Sequence, residues 1–466
     1  MHKLKFLEFD NVIITSIPRV LPNSLRILKW SWYHSESLPR GFQPNLLTKL
    51  EMRHSRLDQL CEGRKDFPNL KFMDLSYSRN LICTVDFSGL PNLVGLELFC
   101  CTELVVIHSS FAVLKRLISL NFEGCKSISS LPRKVEMDSH EFFCLYGCTG
   151  LKKIPEFSRE MKNLSKLFLG CTGVEKLPSL IEHLIGLKLL DVSNCISPNF
   201  ICNLKSLEVL NIRGCLQLKK LPEYLGKMDS LKEIDFSGTS MKELIPFLVL
   251  LKNLKRLSFR GLAQLERTLG LPSEKFSYDD KSTFDYYLNV VLFSMAALSL
   301  VVKPDTRHLV FPSLNGLCSL EELDLSDCNL GHGAIPDDIS SLSCLRYLDL
   351  SRNGFVNLPS IMKLYKLEEF KLERCKSLQV FPCLPSNSIL HVNTGDCTSL
   401  KRLSGTLELR RNTEMSNFIL RSGNCSGFLD NEGCNGTILP MLTRFLQLSL
   451  SLSLSLSLSL SDIVLH

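Results

Sequence analysis

Leu207-Glu208-Val209-Leu210-Asn211-Ile212-Arg213-Gly214-Cys215 decides how this 466-residue chain is read, because its pattern L-x-x-L-x-L-x-x-(C/T/N/S) returns sixteen times. Taking the first apolar position of each unit, the repeats start at residues 4, 25, 47, 70, 93, 117, 140, 164, 187, 207, 231, 254, 320, 345, 367 and 389. The interval is 20 to 25 residues and is broken once, between residues 254 and 320. A period of this length predicts that each unit supplies one short strand and an irregular or 3-10 return segment. No unit can bury its leucines alone. Stacking makes one continuous core, at about 1.5–3 kcal/mol per fully buried aliphatic side chain, and stability becomes a sum over units and nearest-neighbour interfaces.

The expected fold is therefore an α/β repeat, a leucine-rich-repeat solenoid: a curved horseshoe with parallel strands on the concave face and irregular, 3-10 or short-helix segments on the convex side. Leu131-Pro132, Ile154-Pro155, Leu177-Pro178, Leu221-Pro222, Ile335-Pro336 and Leu358-Pro359 close many units. Proline has no amide donor, so it suits the return and not the strand. Because contacts in such an array are local, length alone does not divide it, and one elongated body is expected.

A net charge of +6 is a mild bias, and no dense Lys/Arg run or basic-aromatic platform points to nucleic acid. The chain has 19 cysteines. Eight of them (Cys101, Cys125, Cys148, Cys195, Cys215, Cys328, Cys375, Cys397) occupy the ninth repeat position, which Ser78, Thr172, Thr239 and Asn353 fill elsewhere. That position predicts a buried ladder of small side chains bonding neighbouring backbone, not a disulfide framework. With no charged-then-apolar leader, free thiols fit a reducing compartment, and the sequons at Asn163, Asn424 and Asn435 are expected to be unused. The longest near-apolar stretch, Val290 to Val302, falls short of the ~20 residues that span a bilayer.

Leu4, Leu7, Phe9 and Val12 already read as a degenerate repeat, so the chain opens inside the array and a capping segment is expected upstream. The array is read as residues 1–404 with an insertion at 262–315, which includes the acidic-aromatic run Tyr278 to Tyr287. Residues 405–446 read as the start of a different, incomplete module. Residues 447–466 hold seven Leu-Ser pairs, as an in-frame CT dinucleotide repeat would encode, and read as a low-complexity tail.

Function is expected on the concave sheet, where side chains between the buried leucines project in register. The fifth repeat position reads Lys29, Glu51, Asp74, Glu97, Asn121, Cys144, Phe168, Asp191, Asn211, Asp235, Ser258, Asp324, Asp349, Lys371, Asn393, nearly half of it acidic. The seventh supplies Arg53, Phe99, Glu123, Tyr146, Arg213 and Arg260. Aromatic and arginine side chains anchor protein interfaces, so Arg53, Asp74, Glu97, Phe99, Glu123, Tyr146, Phe168, Asp191, Arg213, Asp235 and Arg260 are the protein-binding candidates. Charge reversal at Asp191 and Asp235 is expected to change binding and leave the fold intact. His140, Cys144 and Cys148 stand four apart, but on a strand they point to different faces, against a metal site. No C-x-x-C, H-E-x-x-H, nucleophile elbow or phosphate cradle occurs, so no catalytic, cofactor or metal residue is assigned and a non-enzyme is expected.

Several stretches resemble the repeat region of plant TIR-type nucleotide-binding disease-resistance receptors. They are Leu25-Arg26-Ile27-Leu28-Lys29-Trp30 with Ser37-Leu38-Pro39, Leu57-Asp58-Gln59-Leu60-Cys61-Glu62-Gly63, Asn69 to Ser76, Gly124-Cys125-Lys126-Ser127, Ile201 to Leu207 and Leu323 to Leu330. The similarity covers about residues 1–404, and 405–446 look like the start of the family's post-repeat domain. The G-x-x-x-x-G-K-[ST] phosphate loop and a TIR sequence are absent, so the family's nucleotide switch and NAD-cleaving activity are not carried over. The resemblance implies a cytoplasmic, or also nuclear, recognition module. Its partners would be a pathogen effector or guarded host protein and the receptor's nucleotide-binding and TIR domains, not nucleic acid or membrane. Two alternatives stand beside it: an extracellular repeat receptor or inhibitor binding a peptide or glycan, to which the single Gly333-Ala334-Ile335-Pro336 is similar, and a piece of a TIR-domain NAD hydrolase.

Overall fold

A computed structural model describes residues 3–10, 12, 20–195, 204–218, 223–241, 246–261, 311, 313–385, 389–403 and 417–425. These residues group into two compact units, the first ending at Gln217 and the second beginning at Leu218. Contacts between adjacent coils dominate a solenoid, so a long array divides readily.

In the first unit the strands β1 (Phe6–Phe9), β2 (Ile27–Trp30), β3 (Lys49–Glu51), β4 (Phe72–Asp74), β5 (Gly95–Glu97) and β6 (Ser119–Asn121) come one per coil. β7 (Lys134–Val135) and β9 (Glu156–Phe157) lie in return segments, and β8 (Phe142–Cys144), β10 (Lys166–Phe168), β11 (Leu189–Asp191) and β12 (Val209–Asn211) continue the series. Omitting β7 and β9, which pair with each other, each strand is parallel to the one a coil earlier. Register is kept by position, so Leu167, Leu190 and Leu210 stand side by side. The second unit repeats the plan with β13 (Glu233–Asp235), β14 (Arg256–Ser258), β15 (Glu322–Asp324), β16 (Tyr347–Asp349), β17 (Glu369–Lys371), β19 (Ile389–Asn393) and β21 (Asn417–Arg421). β18 (Val380–Phe381) and β20 (Arg402–Leu403) pair on its return side. This is the leucine-rich-repeat solenoid the periodicity predicts.

The physical basis is shared by the coils from Leu25 to Leu367, whereas in those of β1 and β19 the first positions Leu4 and Ile389 are exposed. Positions one, four, six and nine turn inward: Leu207, Leu210, Ile212 and Cys215 are all buried. Proline opens the return where expected. Pro178 and Pro336, at φ −65 and −71, lead into the 3-10 turns Ser179–His183 and Asp337–Ser341, a backbone angle the ring already enforces. Asn69, Asn92 and Asn253 donate their side-chain amides to return carbonyls of the coil before, at 2.7, 2.7 and 2.8 Å.

The ninth-position ladder is built as the sequence implies. Cys101, Cys125, Cys148, Cys195 and Cys215 donate their thiols to the sixth-position carbonyls of Leu75, Leu98, Phe122, Leu169 and Val192 at 3.0–3.3 Å. Ser78 does the same to Met52. Asn353 does more, donating to Leu325 and Leu350 carbonyls and accepting from the Cys328 and Leu330 amides. The described cysteines are free thiols.

The array runs past residue 404, where the sequence reading stopped it. β21 pairs with β19, and Cys425 donates to the Thr394 carbonyl at 3.1 Å in the ladder slot. This coil opens at Asn417, 28 residues after Ile389 and so outside the 20 to 25 interval, and Ser422 takes its sixth position in place of an aliphatic residue, which hid the period. Most of the 262–315 insertion, including Tyr278 to Tyr287 and Val290 to Val302, lies outside the described residues, as do 404–416, 426–446 and the Leu-Ser tract.

Candidate protein-binding surface

Strand alternation sends the third and fifth positions of each coil to the outer face of the sheet, and the seventh and eighth continue that face past the strand end. The fifth-position column has a structural duty that the sequence reading did not assign. Asp74, Asp191, Asp235, Asp324 and Asp349 each accept, at 2.8–2.9 Å, the backbone N–H of the serine two residues on. Asn121, Asn211 and Asn393 accept the N–H groups of Glu123, Arg213 and Gly395 in the same way at 2.9–3.1 Å. This is the Asx turn, in which a short side chain satisfies a donor left over when the strand ends. It prepares the eighth position, which is left-handed in every described coil, from Trp32 (φ 62) to Asn424 (φ 59). Glycine takes the position at Gly124, Gly147, Gly214, Gly238 and Gly261, and that recurrence was the signal available in the sequence.

The candidates therefore divide. Asp74, Asp191 and Asp235 are 8, 4 and 2% exposed, and each commits one carboxylate oxygen to its cap. The second oxygen of Asp191 accepts from the Asn211 amide at 3.0 Å, and that of Asp74 from Arg53 Nε at 2.6 Å. Reversing charge at Asp191 or Asp235 would thus remove a cap and bury a cation, so the expected separation of binding from folding does not hold there. Glu123 and Phe168 are also buried; Phe168 packs its ring 5.5 Å from Phe142. Cys144 is buried as well, its thiol 3.9 Å from Glu123 Oε2.

Arg53 is exposed, and Phe99, Tyr146, Arg213 and Arg260 are half-buried with surface remaining. Tyr146 owes its position to Gly170 on the next coil, where a methyl group would stand 2.6 Å from the tyrosine ring. Its hydroxyl accepts from the Cys171 thiol at 3.3 Å. Glu97 is raised in the first unit: burial, with Asp74 beside it, pushes its carboxyl up to about 7. In the second unit burial, followed by Asp349 across the strand pair, raises Asp324 to about 6.

One group of side chains was missed. Trp32 and His54 stack at 4.7 Å, His54 and Tyr77 at 4.5 Å, and Phe99 meets Tyr77 edge-on at 5.0 Å. Three of these rings sit on left-handed eighth positions, where a large L side chain costs on the order of 1–2 kcal/mol. Ring contacts of about 0.5–1.5 kcal/mol each offset that cost.

Nothing in the described residues composes a reaction centre. His108, Ser110 and Asp86 meet, but Ser110 Oγ (2.7 Å) and Asp86 (3.6 Å) both approach His108 Nδ1. A proton relay needs them on opposite ring nitrogens. They cap 3-10 turns instead. Ser88 hydrogen bonds hold the Asp86 carboxyl down at about 2. No group of three or more His, Cys, Asp or Glu among the described residues could hold a metal. His140 lies in the core with Nδ1 3.1 Å from the Leu117 carbonyl, apart in role from Cys148 in the ladder. No described helix is long and apolar enough to cross a membrane.

A parallel solenoid with inward leucines, a ladder bonding backbone carbonyls and a broad side-chain face defines a leucine-rich-repeat protein, and residues 319–342 match the family model Leucine Rich Repeat. The chain is 35% identical over 381 residues to the TMV resistance protein N of Nicotiana glutinosa, covering 80% of this chain and 30% of that protein. It is 33% identical over 392 residues to the disease resistance-like protein DSC1 of Arabidopsis thaliana, covering 83% and 28%. A leucine-rich-repeat protein of Leptospira interrogans is similar in structure at a TM-score of 0.46 and 20% identity, over 75% of this chain and 90% of that one. The chain belongs with the leucine-rich-repeat regions of plant TIR-type nucleotide-binding disease-resistance proteins. It spans less than a third of the length of these two relatives.

Proposed function

We propose that this chain is a protein-recognition and regulatory module of plant innate immunity, acting in the cytoplasm without catalysis of its own. Its strand face would bind a pathogen effector or a guarded host protein. It would also restrain a nucleotide-binding domain of a receptor, switching by binding resting and active states unequally. One observation carries the reading: side chains of successive parallel strands stand in register across each unit's face, with Phe99, Tyr146, Arg213 and Arg260 keeping surface at its seventh positions. Such aromatic and arginine anchors hold a small share of interface positions and most of the binding energy.

The test is surface plasmon resonance of the full chain against a panel of purified pathogen effectors and nucleotide-binding domains. Tyr146→Ala and Arg213→Glu should abolish the binding of a partner that the parent captures. Binding that survives both, and is lost on substituting return-side residues such as Lys134, would refute the assignment of the face.

A further inference from the structure

From β3 to β5 the outer face carries a row of three carboxylates. Glu51, Asp74 and Glu97 stand side by side in register. The cations lie at one end: Lys49 is 3.0 Å from Glu51, and Arg53 is 2.6 Å from Asp74 and 3.8 Å from Glu51. Glu97, one strand further on, receives its hydrogen bonds from neutral groups, the Ser119 hydroxyl at 3.3 Å and the Asn121 side chain.

The surface beside Glu97 has a defined shape. Gly95, two residues before it on the same face, has no side chain, and the Phe72 ring fills that place, 3.0 Å from where a Cβ would stand. Phe72 is 48% exposed. Past the strand ends, the Tyr77 and Phe99 rings form the other flank.

We propose that this face of the first unit docks an arginine-bearing segment of a partner protein, the guanidinium lying on the Phe72 ring over Gly95 with its donors turned to Glu97. The proposal deepens the recognition reading above and rests on it. Charge complementarity selects the occupant. A planar, weakly hydrated cation can stack on a ring and bond a carboxylate at once, which a lysine ammonium cannot do as well. An acidic segment or a nucleic acid would meet like charge. The groups whose fields reach Glu97 are Asp74 and Arg53, with Glu51 further along the row. An arriving cation favours the ionised carboxylate, so docking expels a proton wherever Glu97 is still protonated, and affinity rises with pH through that range.

Fluorescence anisotropy of the full chain with a labelled peptide of alternating arginine and leucine tests this. The same peptide with glutamate in place of arginine is the control. The arginine peptide should bind and the glutamate peptide should not. E97Q and F72S should each weaken it about tenfold or more, while E136Q, which alters the carboxylate paired with Lys134 away from this face, leaves affinity unchanged. From pH 6 to 8 affinity should rise for the parent and stay flat for E97Q. Circular dichroism melts matching the parent show that these exposed or isosteric variants fold. Equal effects of E97Q and E136Q, or no peptide binding at all, overturn the proposal. The wider recognition reading would then still stand or fall separately, on partner capture through Tyr146 and Arg213.

Discussion

Acid should unfold the first unit through His140, and the size of the effect follows from where that ring sits. His140 occupies the first repeat position, which Leu117 and Leu164 fill in the coils on either side, and it is fully buried. Nδ1 is 3.1 Å from the Leu117 carbonyl, Phe143 meets the ring edge-on at 5.5 Å, and Nε2 has no hydrogen-bond partner. The imidazole is therefore neutral in the fold, with Nδ1–H donating to Leu117. Burial lowers its pKa from 6.5 to about 4. A depressed folded value means that the unfolded chain takes up the proton first. The contribution is whole above about 6.5, declines as pH falls from there, and is fully lost below about 4. Some 2.5 pH units at ~1.4 kcal/mol each come to roughly 3.5 kcal/mol, enough to matter for a domain of ordinary stability. The assay is urea unfolding followed by circular dichroism between pH 7.5 and 4, parent against His140→Leu. Other titrating groups cancel in the difference, so the gap between the two proteins should widen steadily as pH falls. Parallel pH profiles would show that His140 titrates normally and is not buried as described.

The Asx caps predict a sharp chemical distinction at Asp235. Asp235→Asn keeps the accepting oxygen, as Asn121 and Asn211 do in other coils, and should be nearly neutral in a urea melt, whereas Asp235→Ala should cost about 1–3 kcal/mol by leaving the Ser237 amide unpaired. Equal damage from both would remove the cap from the account. Leu210→Ala, at a site 2% exposed between Leu190 and the rest of the core, should cost roughly 2–5 kcal/mol, with faster amide exchange in the coils beside it. An unchanged melt would refute its burial. The ladder thiols should resist a disulfide reagent in the native protein and react fully in denaturant. Burial raises Cys195 to about 12 and pushes Cys125, Cys148 and Cys215 up as well. Rapid native labelling of these residues would contradict the ladder.

How much of this was legible in the sequence depends on which physical signal each feature leaves. The inward positions were, because burial of Leu207, Leu210, Ile212 and Cys215 is a matter of side-chain chemistry at a fixed period, and that period is written in the residues. The ladder was legible for the same reason: Cys, Ser, Thr and Asn share smallness and the ability to bond a carbonyl. The division of the outer columns was not. Asp235 and Arg213 are both polar residues of the outer columns, but a two-atom reach from a strand end makes one a backbone cap at 2% exposure and leaves the other with surface. Sequence pattern assigns a face, and only the backbone path beyond the strand decides whether a carboxylate looks outward or back at its own chain.

The aromatic rail makes the same point from the other side. Trp32, His54 and Tyr77 are spaced 22 and 23 residues apart and carry no mark of helix or strand. They become neighbours because parallel coils in register place equal positions about one strand spacing apart, here with ring centroids at 4.7 and 4.5 Å. What the residues alone determined is the period, the core and the class of fold, since hydrophobic burial is local and repeats. What the tertiary structure decided is which outward groups are spent on holding the coils and which remain for a partner, since that depends on angles and distances between coils that no single repeat contains.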